Sequence, residues 1–216
     1  MVFGRRRRLD RSARERGVPP DLEVREHEHE LTTGPYDLED APEDAVARVD
    51  LGALRVPAVK GADLRLDLNK AGTIVSATVR LAGSTMQIGA FAAPRQGGLW
   101  ADVRAEILGT ITTQGGTATE AEGPFGPELR ARLARKAGPA PARFVGVDGP
   151  RWFLRALITG PAASDAAVAE PLEQALRQVI VVRGTEPMPV RELIPLRLPR
   201  DPNEAPAADT SDTGEE

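Results

Sequence analysis

The stretch Gly146-Val147-Asp148-Gly149-Pro150-Arg151-Trp152-Phe153-Leu154-Arg155 places the tightest constraint on the fold. Asp148-Gly149 predicts a hairpin turn, because both residue types tolerate positive φ. Beyond it, Trp152, Leu154, Ala156 and Ile158 alternate with Phe153, Arg155 and Leu157. Successive strand residues face opposite sides of a sheet, so this strand is apolar on both faces and belongs at the centre. The stretch completes no catalytic set, metal site or phosphate loop.

The preceding chain supplies strands for such a sheet. Ala47–Leu51 and Leu54–Pro57 read as short pieces. Leu64, Leu66 and Leu68 share one strand face; Val75, Ala77, Val79 and Leu81 repeat the two-residue period, as do Met86, Ile88 and Ala90. That is an antiparallel meander. The period then changes: Leu99, Val103, Ile107 and Ile111 recur every four residues, predicting a helix over 99–112 that Gly115-Gly116 stops. Pro127 suits the first turn of a short helix holding Leu129 and Leu133. Arg143–Val147 returns to strand, Val168–Val179 reads as a final helix capped by Ser164, and Val179–Arg183 as a last strand. The order predicts an α+β fold: antiparallel meanders with two main amphipathic helices on one face, in a layout that hints at duplication.

Charge marks the ends. Residues 5–16 carry seven arginines, and residues 21–44 ten acids against Arg25. Residues 45–199 hold nineteen basic and fourteen acidic side chains, and the last seventeen residues six acids. The expected division is a charged disordered tail over 1–34, one α+β domain over 35–199, and an acidic disordered tail over 200–216. The tails either solvate the chain, or Arg5, Arg6, Arg7, Arg8, Arg11, Arg14 and Arg16 contact nucleic acid. No aromatic residues interleave with these arginines to stack on bases. The chain has no cysteine, which removes disulfides and thiol chemistry. No apolar run reaches bilayer length, and no apolar segment follows the first arginines as a signal peptide requires. A cytoplasmic protein is expected.

Candidate chemistry is sparse. His27 and His29 are the only histidines and sit among acids without a third ligand at fixed spacing, so they read as surface residues. Ser76, Ser84 and Ser164 have no Gly-x-Ser-x-Gly setting and no histidine to activate them. Asp102 and Glu106 share a helix face, where solvent exposure explains them; Glu120, Glu122 and Glu128 read the same way. Arg95-Gln96-Gly97-Gly98 enters a helix without Walker or dinucleotide spacing, so its glycines read as geometry rather than a phosphate cradle. Trp152 is assigned to the core and Arg151 to the sheet rim. Arg155 is expected to pair with a carboxylate, since a lone buried guanidinium is costly. Arg95, Trp100, Arg151 and Arg155 are the candidate partner or anion contacts. No cofactor or metal is expected. An enzyme would need a cavity with carboxylates such as Asp50, Asp102 or Asp148.

Four pieces carry a family resemblance. They are Gly34-Pro35-Tyr36-Asp37 with Val49–Gly52, Ala90–Pro94 with Leu99-Trp100, Gly123-Pro124-Phe125-Gly126 with Glu128-Leu129, and Gly146–Arg155 with Val182–Gly184 and Pro187–Val190. Together they resemble domain-of-unknown-function family 3710, a set of uncharacterised actinobacterial proteins without an assigned activity, cofactor or catalytic residue. The element order is also loosely similar to secretion-chaperone-like α+β domains, which bind protein partners. The reading that follows is a non-enzymatic interaction or accessory domain with a protein partner or homodimer. A nucleic-acid accessory protein acting through the arginine tail is the alternative, and an enzyme with an unrecognised carboxylate site a further one.

Overall fold

The computed structural model describes residues 34–199. The arginine cluster, both histidines and both charged tails lie outside them, apart from Gly34. The chain forms β1 (Tyr36–Asp37), β2 (Arg48–Asp50), β3 (Leu54–Pro57), β4 (Asp63–Leu68), β5 (Ile74–Leu81) and β6 (Ser84–Ala92). Helix α1 (Leu99–Thr113) follows, then β7 (Thr117–Gly123), β8 (Gly126–Leu133), β9 (Ala140–Gly149) and β10 (Trp152–Thr159). Helix α2 (Ala166–Arg177) and β11 (Ile180–Val181) complete the fold. The main sheet has seven antiparallel strands in the order β4-β5-β6-β10-β9-β8-β7. A smaller sheet runs β1-β11-β3-β2.

The α+β class and the packing of two helices on an antiparallel sheet are as expected. β10 is central, between β6 and β9, which explains its two apolar faces. The even-numbered residues Trp152, Leu154, Ala156 and Ile158 join Met86, Ile88, Leu172 of α2 and Leu54 of the small sheet in the main core. On the other face, Phe153 packs with Leu99 and Trp100 of α1. The helices thus divide between the two faces, where the sequence reading put them on one. Meander-then-helix does occur twice in order. A two-fold relating antiparallel β6 and β10 would keep both helices on the same face, so the halves are not symmetric copies.

Three local expectations are corrected. Residues 126–133 form β8 rather than a helix: Leu129 and Leu133 are as consistent with one strand face as with one helix face, and β8 pairs with both neighbours. β7 before it has only alanines as apolar residues, so its alternation was too weak to read. The hairpin turn is Pro150-Arg151, since Gly149 pairs directly with Trp152. Finally, α2 is capped by Asp165, whose carboxylate accepts from the Ala167 and Val168 amides, rather than by Ser164.

After β11 the chain crosses the far end of β6, where β5 has diverged. Ala92 exchanges backbone bonds with Arg191 and Glu192, and Ile194 donates to Ala90. Ile194 and Leu196 are buried in the main core.

Candidate functional site

The family-like pieces converge at the β9–β10 hairpin, and their roles follow from strand alternation. Gly146 and Asp148 face α1; Gly149 faces the main core. A Cβ on Gly146 would run into the Trp100 ring, and one on Gly149 into the Trp152 ring. Each glycine therefore makes room for a tryptophan, on opposite sides of the sheet. The Trp152 indole donates to Asp37 at 2.6 Å, and that of Trp100 to the Pro127 carbonyl at 2.6 Å. Trp100 also stacks on Phe153, with centroids 5.9 Å apart.

Asp148 holds the start of α1. The helix enters through Gly98 at φ 82 with no capping side chain of its own. The Asp148 carboxylate takes that place, accepting from the Leu99 amide at 3.0 Å and from Trp100 at 3.2 Å. A carboxylate there satisfies exposed amides and the positive helix end together. The Leu99 and Trp100 amides at this helix start are thus already engaged by a carboxylate from within the chain.

Beside this junction lies an open groove of about 530 Å³, lined by Arg95, Trp100, Arg104, Phe125, Pro127 and Pro150 among others. Of the candidate contacts, the structure brings Arg95 and Trp100 together here. Arg151 sits on the adjacent turn, where its guanidinium makes a long 3.5 Å bond to the Thr185 carbonyl. Arg155 is on β10's α1-side face with its guanidinium over the Phe91 ring at 5.2 Å. The expected carboxylate partner of Arg155 is absent among the described residues, and burial holds its guanidinium below the usual arginine range. Cation–π contact takes the carboxylate's place.

Two arginines stand in left-handed backbone conformations. Arg151 follows Pro150 at φ 64, and Arg191 follows Val190 at φ 71. Proline fixes its own φ near −65°, so Pro150-Arg151 has the type II pattern that favours glycine at the second position. Non-glycine residues in such strained positions concentrate at functional sites. Arg191 reaches α1, bonding Glu106 at 2.6 Å and approaching Asp102 at 3.6 Å. The Arg151 carbonyl accepts from the Ala93 amide and from Arg183 Nε.

The candidate carboxylates are engaged elsewhere. Glu128, read as a solvent-facing residue, is 1% exposed. It accepts both Nε and Nη2 of Arg143, whose Nη1 donates to Glu173 at 2.8 Å. Burial pulls the Arg143 guanidinium down, but its two carboxylate partners outweigh this and raise it above the usual range. Asp50 accepts from the Gly52 amide, and Glu120 from Arg104 at 3.1 Å. This buried Glu128–Arg143–Glu173 triad carried no sequence signal beyond its residue types, since its members are spread over three elements. Among the described residues no three His, Cys, Asp or Glu side chains gather as a metal site. None of the described helices is long and apolar enough to cross a membrane.

A family model described as "Protein of unknown function (DUF3710)" matches residues 34–205. No curated protein matches, and neither does any solved structure.

Proposed function

The chain belongs to the DUF3710 family, and from that footing we propose that it is a non-enzymatic interaction domain whose groove at the start of α1 receives a segment of a partner protein. One observation carries this reading. The groove combines apolar walls (Trp100, Phe125, Pro127 and Pro150) with the exposed Arg95 and with Arg104, itself paired to Glu120, while the one carboxylate in its lining among the described residues, Asp148, is committed to capping α1. Such a lining can bury apolar side chains and steer an acidic segment; it offers no pair of groups poised to exchange a proton. Arg151, held at φ 64 on the neighbouring turn, extends the cationic rim.

The test is affinity capture from native lysate with and without nuclease. Wild type is compared with an Arg95→Glu/Gln96→Glu variant, which alters two exposed positions. A nuclease-resistant protein captured by wild type and lost from a variant of unchanged melting temperature is expected. Equal capture by both forms overturns the groove assignment. Recovery that vanishes with nuclease favours the second reading, nucleic-acid contact through Arg5–Arg16, for which the arginine cluster itself is the supporting feature.

A further inference from the structure

The main sheet ends in two exposed strands, and they differ. β7 carries Glu120 and Glu122. In an antiparallel self-pairing centred on Glu120 or Ala121 these residues would set like charges against each other, which is unfavourable. β4 reads Asp63-Leu64-Arg65-Leu66-Asp67-Leu68, and its pattern is self-complementary. About a two-fold at Leu66, Leu64 faces Leu68 of a second copy, Leu66 faces Leu66, and Arg65 faces Asp67.

The backbone agrees with that centre. The two-residue turn Ala82-Gly83 makes Leu81–Ser84 a hydrogen-bonded pair, and bonded pairs alternate along an antiparallel ladder. Ala90 and Ala92 of β6, two and four positions further along the same alternation from Ile88, do bond towards the β5 side. By the same count Arg80, Thr78 and Ser76 bond towards β4, engaging Asp63, Arg65 and Asp67. The amides and carbonyls of Leu64, Leu66 and Leu68 are left facing outward. The irregularity near the end of β4 skips Val75 of β5 and leaves β4 itself regular.

The side chains agree as well. Leu68 is 63% exposed beside the half-buried Leu64 and Leu66, so the edge offers apolar surface on the face where the leucines would meet. Asp67 accepts from Ser76, Thr78 and Gln87, and all three bonds fall on Oδ2. Its Oδ1 takes none of them, and Arg65 forms no hydrogen bond or ion pair among the described residues. We propose that two copies of this chain associate edge to edge through β4, antiparallel about Leu66, with paired leucines on one face and reciprocal Arg65–Asp67 contacts on the other. This interface is independent of the groove at α1. A six-residue edge is small, so the dimer belongs to the weak, concentration-dependent class.

Sedimentation velocity of the full chain over a wide concentration range tests it, expecting a monomer–dimer equilibrium with doubled mass at the top. Arg65→Asp alone and Asp67→Arg alone should each weaken the dimer by at least about tenfold, since each sets like charges opposite one another. Mixing the two variants should restore dimer, because the heterodimer regains both opposite-charge pairs. Leu68→Lys, at an exposed position, should also abolish it. It stands in for Asp67→Arg should that variant fail to fold, together with concentration-dependent hydrogen-exchange protection at Leu64, Leu66 and Leu68. A wild type that stays monomeric overturns the proposal. So do a dimer that survives Arg65→Asp and Leu68→Lys, folded variants that do not complement on mixing, and open-ended assemblies larger than a dimer.

Discussion

Trp100 occupies the space that a side chain at residue 146 would need. The ring is buried between β9 and the first turn of α1, with its indole tied to Pro127. Gly146→Ala should therefore destabilise the fold by about 1–3 kcal/mol through overpacking. Urea denaturation checks this, and adding Trp100→Leu should recover part of the loss, because the two sites are in direct contact.

Arg143→Met should cost about 3–5 kcal/mol, because it leaves Glu128 and Glu173 buried without their shared cation. Converting both glutamates to glutamine in the same chain should return much of that stability. The comparison is made by chemical denaturation at neutral pH.

Arg151→Gly should act in the opposite direction. Glycine adopts φ 64 without the strain an L side chain meets there. Set against glycine's greater loss of chain entropy, a net gain of up to about 1 kcal/mol is expected. If Arg151 forms part of the groove's rim, the same variant should capture partner less well while melting at a higher temperature.

Asp67 supplies a pH signature. Partial burial favours its protonated form, but the bonds from Thr78, Ser76 and Gln87 outweigh that and hold it below the usual aspartate range. A carboxyl depressed by folding contributes stability that is present above its unfolded value and lost as pH falls through its folded one. Asp67→Asn should therefore cost under about 1 kcal/mol at neutral pH at this half-exposed site. The gap from wild type should close in acid, as thermal melts across the acid limb would show.

Periodicity made the larger elements legible. Leu64, Leu66 and Leu68, the Val75–Leu81 alternation and the four-residue repeat of α1 each announce themselves, because the apolar stripe is dictated by the face that is buried. The β7–β8 hairpin was hidden, since Ala118 and Ala121 give almost no stripe and Leu129 and Leu133 fit either period. The site was legible in part. Gly146–Arg155 stood out as a motif, and Arg95 and Trp100 do share a groove. That Asp148 caps a helix 49 positions earlier in the chain, and that Asp37 anchors Trp152, are long-range pairings that local spacing cannot encode. Arg155 shows the limit of a charge rule: an aromatic face can stabilise a guanidinium where a carboxylate was expected.

The most direct test of the groove as a protein-binding site is photo-crosslinking in cells from two positions. Residue 95 lies on the groove, and residue 135 on the exposed turn at the other end of β9. The groove assignment predicts a discrete protein adduct from 95 and none from 135. Adducts formed equally from both positions, from 135 alone, or only to nucleic acid would contradict it.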